Sequence, residues 1–172
     1  YKGLVRDIFI NGTVSDDMSL YVHRPSVTDP SCAPEGDDTF YVLSPVPHLG
    51  HEGAADWDAI GPAYKARMIA QLQQLIPGFE DHVSVEETFT PDTFRDRYLS
   101  PFGTGFSIEP RILQSAWFRP HNVSEEIAGL YLTGAGTHPG AGLPGVISSA
   151  EVLSQLVPDP EFAANETRVA AE

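Results

Sequence analysis

Basic residues and cysteine are scarce in this chain of 172 residues. Lysine and arginine together number 10, against 24 aspartates and glutamates, which gives a formal net charge of −14. Nucleic-acid binding and attachment to anionic lipid through a basic patch are both disfavoured, because each needs clustered cations. The single cysteine, Cys32, excludes an internal disulfide and favours a reducing compartment.

Long apolar runs are also missing. No unbroken apolar stretch reaches the ~20 residues that a membrane-spanning helix needs, and no secretory signal peptide is recognisable. The hydrophobic fraction of 41% nevertheless argues against disorder. The length allows one domain with a substantial core.

Local patterns in the first half predict two strands and a helix. Residues 20–23 and 39–44 are rich in β-formers and flank a loop rich in proline and aspartate. An apolar stripe at helical spacing follows, formed by Ile60, Tyr64, Met68, Leu72 and Leu75. Asp56 and Asp58 favour the start of this helix, and Pro77 with Gly78 ends it.

The second half gives weaker signals. Residues 83–89 and 130–133 are interpreted as strands, and the second of these is expected to be buried. A helix follows the second strand, with Val146, Ala150, Leu153 and Val157 on one face, and Pro158 ends it. An aromatic-rich stretch between the two strands is interpreted as core, with the wall of an apolar cavity as the alternative. Its members are Phe94, Tyr98, Phe102, Phe106, Trp117 and Phe118.

A glycine-rich segment, LYLTGAGTHPGAGLPGVISSAEVL, joins the last predicted strand to the last helix. Glycine lets a ligand approach the backbone closely, and the free amides of a helix start favour negative charge. Gly140, Gly142 and Gly145 spell G-x-G-x-x-G, but no strand directly precedes Gly140 and no second strand follows about twenty residues on. A dinucleotide fingerprint is therefore rejected. A purely structural bend and a ligand-binding loop both stay open.

The same segment resembles the C-terminal signature of the bacterial-type phytoene desaturases, flavoproteins of carotenoid synthesis. Four further segments resemble that family in the same order: LYVHRPSVTDPSCAPEG, FYVLSPVPHLG, FTPDTFRDRY and QSAWFRPHN. The resemblance covers residues 20–156. It implies a mixed α/β (α+β) fold, as the C-terminal part of a two-domain, Rossmann-like FAD-binding flavoprotein whose N-terminal FAD-binding part is missing here.

The resemblance also implies a division of the chain. Residues 1–128 would form part of an antiparallel-sheet substrate-binding domain and the domain junction. Residues 129–158 would be the final strand, glycine loop and helix of the FAD domain, and residues 159–172 a polar tail. FAD would lie with its ribityl-pyrophosphate region beside Gly134, Ala135 and Gly136, and its isoalloxazine beside Pro144, Gly145 and Val146.

The implied activity is FAD-dependent desaturation of phytoene or a related carotenoid precursor, by hydride transfer from an allylic C–H to the flavin. His138, Arg119 and His121 are the candidate catalytic residues. His48 and His51 form H-x-x-H, which is interpreted as a solvated pair and not as a metal site. The partners would be an apolar polyene and a membrane surface, touched peripherally from the cytoplasm. The alternatives are a carotenoid isomerase or oxygenase-like relative using the same flavin, and a non-catalytic truncated remnant or binding module.

Overall fold

The computed structural model describes residues 2–109 and 111–158. Contacts within the chain divide it into two compact units, Tyr1–Thr104 and Gly105–Glu172. The predicted polar tail, residues 159–172, lies outside the described residues. Among those described, no helix combines the length and the hydropathy needed to span a bilayer.

The four α-helices of the described residues are α1 (Lys2–Arg6), α2 (Trp57–Leu75), α3 (Pro91–Tyr98) and α4 (Leu143–Leu156). Two strands, β1 (Tyr21–His23) and β2 (Tyr41–Leu43), pair antiparallel with Val22 opposite Val42. A π-helical turn covers Asp7–Asn11, and short 3₁₀ turns cover Pro25–Val27, Pro30–Cys32, Glu80–His82, Pro101–Gly103, Ile112–Gln114 and Ala116–Phe118. This mixture of helix and a small antiparallel sheet agrees with the expected mixed α/β class.

The hairpin forms where β-branched and aromatic residues were found in the sequence. Its long connection is closed by the guanidinium of Arg24, which donates to both carboxylate oxygens of Asp38 at 2.8 and 2.5 Å. Ser26 donates its hydroxyl to the same carboxylate at 2.8 Å. These hydrogen bonds hold the pKa of the Asp38 carboxyl below its ordinary value, with Arg24 the larger cause and Ser26 the next.

Helix α2 begins as predicted, because the carboxylate of Asp56 accepts the amides of Asp58 and Ala59 at 3.1 and 3.2 Å. Its apolar stripe is confirmed at Tyr64 and Leu72, which are buried. The helix ends at Leu75, which is 74% exposed and so lies outside the core.

The core of the first unit is built around Met18, Trp57 and Tyr64. Trp57 and Tyr64 meet edge to face with ring centroids 5.7 Å apart, and the Tyr64 hydroxyl lies 2.6 Å from Ser44 Oγ. A buried tyrosine hydroxyl thus keeps a partner while its ring packs. Burial of Tyr64 and Leu72 shows that this face of α2 packs within the chain.

Three predictions about local structure were wrong or only partly right. Residues 83–89 form no strand among those described, and residues 130–133 make a single bridge, between Tyr131 and Val123. A strand needs a hydrogen-bonded neighbour along its length; among the described residues, 83–89 have none and 130–133 have one only at this bridge. The aromatic stretch is not core in this chain, because all its members except Phe94 are largely exposed: Tyr98, Phe102, Phe106, Trp117 and Phe118.

The face of α4 that the sequence assigned to the core is also largely exposed, at Val146, Ala150 and Val157. The buried residue of α4 is Ser149. Helix α4 therefore packs within its unit through a polar position, which a pattern of apolar residues could not show.

Candidate functional site

The glycine loop, defined here as residues 134–142, connects residues 130–133, which contain the bridge residue Tyr131, to α4. Gly134 and Gly142 have φ angles of 114° and 93°, in the region that L side chains rarely adopt. A Cβ added at either position would meet no other atom within 4 Å. The backbone at these two residues is consequently bare and open to close approach by a ligand.

The first turn of α4 carries no cap. Its N-cap residue, Gly142, has no side chain, and the first turn contains no acidic residue. The helix's first backbone bond runs from the amide of Val146 to the carbonyl of Gly142, at 2.9 Å. The amides of Leu143 and Gly145 therefore have no acceptor inside the helix, and this end of α4 favours a negative or polarised group.

Gly145 serves the packing of the loop itself. A Cβ at this residue would lie 2.6 Å from the carbonyl oxygen of Gly140, so any side chain would push the loop away from the helix. Gly140 in turn lies against Arg119, whose Nε would be 3.2 Å from an added Cβ. The need for glycine at these two positions is thus explained by contacts within the chain.

Arg119 points into the protein and is only 6% exposed. Its guanidinium donates to the carbonyl of Ala135 at 2.6 Å and to the carbonyl of Ile108 at 3.3 Å. A guanidinium suits two carbonyls in different directions because its donors form a planar fork. Arg119 therefore ties the glycine loop to the segment before it.

Ser149 is fully buried and is the centre of a hydrogen-bond network. Its Oγ lies 2.9 Å from Asn122 Nδ2, 3.2 Å from the amide nitrogen of Gly134 and 2.8 Å from Thr137 Oγ1, with Thr133 Oγ1 at 3.3 Å. Asn122 also donates to the carbonyl of Leu132 at 3.0 Å. The network joins α4, the loop and the residues before it.

The two candidate histidines lie on either side of Trp117. The ring centroid of His121 is 4.9 Å from that of Trp117, and the ring of His138 is 5.9 Å away on an edge-to-face contact. His121 Nδ1 is 3.2 Å from a carboxylate oxygen of Glu125. These side chains line one open groove of about 490 Å³ together with Asn122, Val123, Ser124, Val152 and Leu156.

His138 is held by both its backbone and its ring. Its amide donates to the carbonyl of Pro120 at 2.9 Å, and its Nδ1 lies 3.1 Å from the carbonyl of Ala116. Because a carbonyl can only accept, Nδ1 carries the hydrogen in this contact, and in a neutral ring the lone pair is then on Nε2.

The structure therefore separates the three predicted catalytic residues. His121 and His138 share the groove, whereas Arg119 is buried against backbone carbonyls. Of the predicted cofactor residues, Gly134, Ala135 and Gly136 lie in the loop, and Pro144, Gly145 and Val146 form the first turn of α4. Their catalytic and cofactor roles stay predictions.

Asn122, Thr137 and Ser149 were missed in the sequence. Ser149 lies four residues after Gly145, on the same face of α4, and a polar residue on the side that approaches a glycine loop was the available signal. No local pattern marks Asn122 or Thr137, since their partners are 27 and 12 residues away.

The His48–His51 pair lies in the first unit, where the two rings stack with centroids 4.4 Å apart. In the described part of the chain, no three metal-ligating side chains of the His, Cys, Asp or Glu types come together.

The residues of the loop fit FAD, the cofactor that the resemblance implies. Bare backbone at Gly134 and Gly142 allows a flat or charged group to approach, and the uncapped start of α4 offers donors without an opposing acid. The donor set consists of backbone amides, which suits phosphate oxygens and the polar edge of a flavin ring.

Comparison with known proteins gives related sequences along the whole chain. It is 61% identical over 176 residues to the neurosporene-forming phytoene desaturase of Cereibacter sphaeroides, covering 100% of this chain and 34% of that protein. It is 49% identical to the lycopene-forming phytoene desaturase of Pantoea ananas, over 91% of this chain and 32% of that protein. With the 4,4'-diapophytoene desaturase of Staphylococcus aureus strain Newman, identity is 40% over 94% of this chain and 33% of that protein.

No family model matches the chain. The chain spans about a third of the length of the curated relatives it matches. These relatives are phytoene or diapophytoene desaturases, which are oxidoreductases. The chain belongs to the bacterial-type phytoene desaturase family and corresponds to the C-terminal portion of its members.

Proposed function

We propose that the protein containing this chain catalyses the FAD-dependent desaturation of phytoene or a related carotenoid precursor. The observation that carries the proposal is the identity of 40 to 61% to desaturases with three different named products, each over more than nine-tenths of the chain. Identity at this level over nearly the whole chain supports a shared activity. The N-terminal part of the same protein would complete the FAD site.

In this proposal the chain supplies one wall of the cofactor site. FAD, when bound, supplies the two-electron acceptor that removal of hydrogen from an allylic carbon requires. Gly134, Ala135 and Gly136 would lie beside its ribityl-pyrophosphate region, and Pro144, Gly145 and Val146 beside its ring. The amides at the start of α4 would favour negative charge there, an effect worth several kcal/mol when such a donor faces a developing anion, about 2.7 to 4 in measured cases.

The chain's histidines would act in the groove beside Trp117. Desaturation also releases a proton, and the Nε2 atom of His138 is the atom of that ring left to accept one, since Nδ1 is turned to the carbonyl of Ala116. His121 is the second candidate, although its Nδ1 faces Glu125. Arg119, held by carbonyls, would keep the loop in place.

The substrate would be an apolar polyene with no polar handle, so its binding would rest on burial of hydrocarbon. The exposed aromatic residues of the chain, Phe106, Trp117 and Phe118 among them, offer apolar area for this purpose. A substrate of this kind lives in lipid. We therefore propose that the protein touches a membrane surface peripherally from the cytoplasm, through apolar side chains because the chain is strongly acidic.

The test is expression of the complete protein in a host that makes phytoene and no coloured carotenoid. We expect coloured polyenes with lengthened conjugation, identified by their absorption spectra after chromatographic separation. Unchanged conjugation with altered double-bond geometry would identify an isomerase, and oxygenated products an oxygenase-like relative. Purified protein without flavin and without conversion would identify a non-catalytic remnant. Each of these three results refutes the proposal.

A matched pair of variants tests the loop. Gly142→Ala adds a methyl group to bare backbone at a positive φ, and Gly36→Ala does the same at a φ of 88° in the first unit, also with no atom within 4 Å. Both changes place a Cβ at a positive φ, which costs backbone strain of about 1 to 3 kcal/mol. We expect the complete Gly142→Ala enzyme to lose flavin content about tenfold while Gly36→Ala keeps it. Equal flavin content in the two variants would contradict a cofactor role for Gly142.

A further inference from the structure

Hydroxyl groups hold the backbone of Gly134 at both its amide and its carbonyl. The amide of Gly134 donates to Ser149 Oγ at 3.2 Å. The carbonyl of Gly134 accepts from Thr137 twice, from Oγ1 at 2.9 Å and from the backbone amide at 3.2 Å. Gly134 therefore keeps its φ of 114° through specific bonds and not through packing, since nothing surrounds its Cβ position.

The hydroxyl groups can be assigned a single direction of donation. Thr137 Oγ1 gives its one hydrogen to the carbonyl of Gly134, so the 2.8 Å contact with Ser149 Oγ must be a donation from Ser149. Ser149 Oγ then accepts from Asn122 Nδ2 and from the Gly134 amide. Thr133 Oγ1, at 3.3 Å, is a third and longer donor to the same oxygen, so this buried serine has its hydrogen and its lone pairs engaged within the chain.

Fixing one side of a trans peptide fixes the other. The carbonyl and the amide of a planar peptide point in opposite directions. Because the Gly134 carbonyl is turned inward onto Thr137, the Ala135 N–H is turned to the opposite side. Within residues 2–109 and 111–158, no group accepts a hydrogen bond from this amide.

We propose that Thr137 and Ser149 are positioning residues whose hydroxyl groups orient the Gly134–Ala135 peptide so that the Ala135 amide is presented to FAD. The inference rests on the proposed function and deepens it, by naming the groups that shape the cofactor site without touching the cofactor. The shared bond between the two hydroxyls makes the pair act as one unit. Removal of the Thr137 hydroxyl leaves the Gly134 carbonyl only the Thr137 amide at 3.2 Å, and removal of the Ser149 hydroxyl takes away the partner of both Thr137 Oγ1 and the Gly134 amide, so either change loosens the orientation of the Ala135 N–H.

The experiment measures the dissociation constant of FAD from the complete apo-protein by quenching of flavin fluorescence. Thr137→Val replaces the hydroxyl with a methyl group of similar size, and Thr137→Ser keeps the hydroxyl. We expect about tenfold weaker binding for Thr137→Val and for Ser149→Ala, and less than about twofold change for Thr137→Ser. The double variant should lose about tenfold and not a hundredfold, since both changes break one unit.

The matched control is Ser154→Ala on the same helix, where an exposed hydroxyl donates only to the carbonyl of Glu151 at 2.7 Å. It should bind FAD as the wild type does. Melting temperatures without FAD separate orientation from general damage, and the visible spectrum of the bound flavin reports the polarity around the ring.

The outcomes are distinguishable. A Thr137→Val protein that binds FAD like Ser154→Ala overturns this inference while leaving the proposed function intact. So does a loss of affinity that follows melting temperature equally in Thr137→Val and Thr137→Ser. A wild-type protein that binds no FAD overturns the proposed function, and this inference falls with it.

Discussion

Replacement of Arg119 by methionine is the change that best separates a structural role from a catalytic one. Methionine keeps much of the length and apolar volume of the stem but removes all five N–H donors. The carbonyls of Ala135 and Ile108 then lose their charge-assisted bonds, which are 2.6 and 3.3 Å long. The loop carbonyl at Ala135 is the more affected, because its bond is the shorter.

The expected magnitude follows from these two bonds. A hydrogen bond from a charged donor stabilises a protein by about 1.5 to 3 kcal/mol. The shorter bond should contribute in that range and the longer one at the lower limit, for a gross loss of about 3 to 5 kcal/mol. The Arg119 side chain is only 6% exposed, so burying its charge costs desolvation free energy. The methionine variant avoids that cost and regains part of the loss. We therefore expect the free energy of unfolding to fall by about 2 to 4 kcal/mol.

The assay is denaturant unfolding of the complete protein, with flavin content measured on the same samples. Arg111→Met is the matched control, because its side chain is 67% exposed and is bound to Glu109 at the surface of the same unit. A surface ion pair of this kind contributes about 0 to 1 kcal/mol. Arg119→Met should lose stability and flavin together, and Arg111→Met should lose neither.

Two results would refute this reasoning. Equal stability of Arg119→Met and Arg111→Met would show that the buried bonds contribute nothing measurable. Unchanged stability and flavin content with a large fall in kcat would return Arg119 to the catalytic role that the sequence suggested. Arg119→Lys adds a further check, since one ammonium group cannot serve two carbonyls in different directions and should restore only part of the loss.

Two further predictions concern the first unit. Gly103→Ala should lower the free energy of unfolding by about 3 kcal/mol, because its Cβ would lie 2.1 Å from the carbonyl oxygen of Pro91. Gly53→Ala, at a similar φ but with no atom within 4 Å, should lower it by about 1 kcal/mol. Equal losses of the two variants in denaturant unfolding would contradict the packing argument. The Asp38 carboxyl has a lowered pKa in the folded state, so its contribution is present above its unfolded pKa of about 3.9 and is lost as pH falls through the folded value. The melting temperature of the wild type should exceed that of Asp38→Asn at neutral pH, and this difference should vanish in acid. Added salt should also reduce the difference, because the Arg24–Asp38 ion pair is exposed. A difference in melting temperature that grows as pH falls would contradict a lowered pKa for Asp38.

The family and several local elements could be read from the sequence because their signals are local. Helix α2 follows from an apolar stripe and a capping aspartate within one segment, and its observed bounds, Trp57–Leu75, agree with that reading. The hairpin of β1 and β2 follows from two short β-rich runs. The glycine loop before α4 follows from its run of glycines, because glycine is the residue that tolerates positive φ angles and close backbone approach.

The errors have a common cause. Residues 83–89 and 130–133 contain strand-forming residues, but a strand exists only where another strand pairs with it, and residue type alone does not specify that pairing. The aromatic stretch from Phe94 to Phe118 was assigned to the core by residue type alone. Burial depends on what packs over a side chain, and composition does not contain that information.

What the sequence by itself determined is the family, the hairpin, helix α2 and the loop that carries bare backbone, because each depends on neighbouring residues and on backbone preferences. The tertiary structure alone decided that Arg119 turns inward onto carbonyls, that His121 and His138 share a groove, and that Ser149 joins Asn122 to Thr137. The hydrogen bonds among these contacts join residues 11 to 27 positions apart. Hydrogen bonds over such separations form only after the chain path has brought their donors and acceptors together, so no local pattern can specify them.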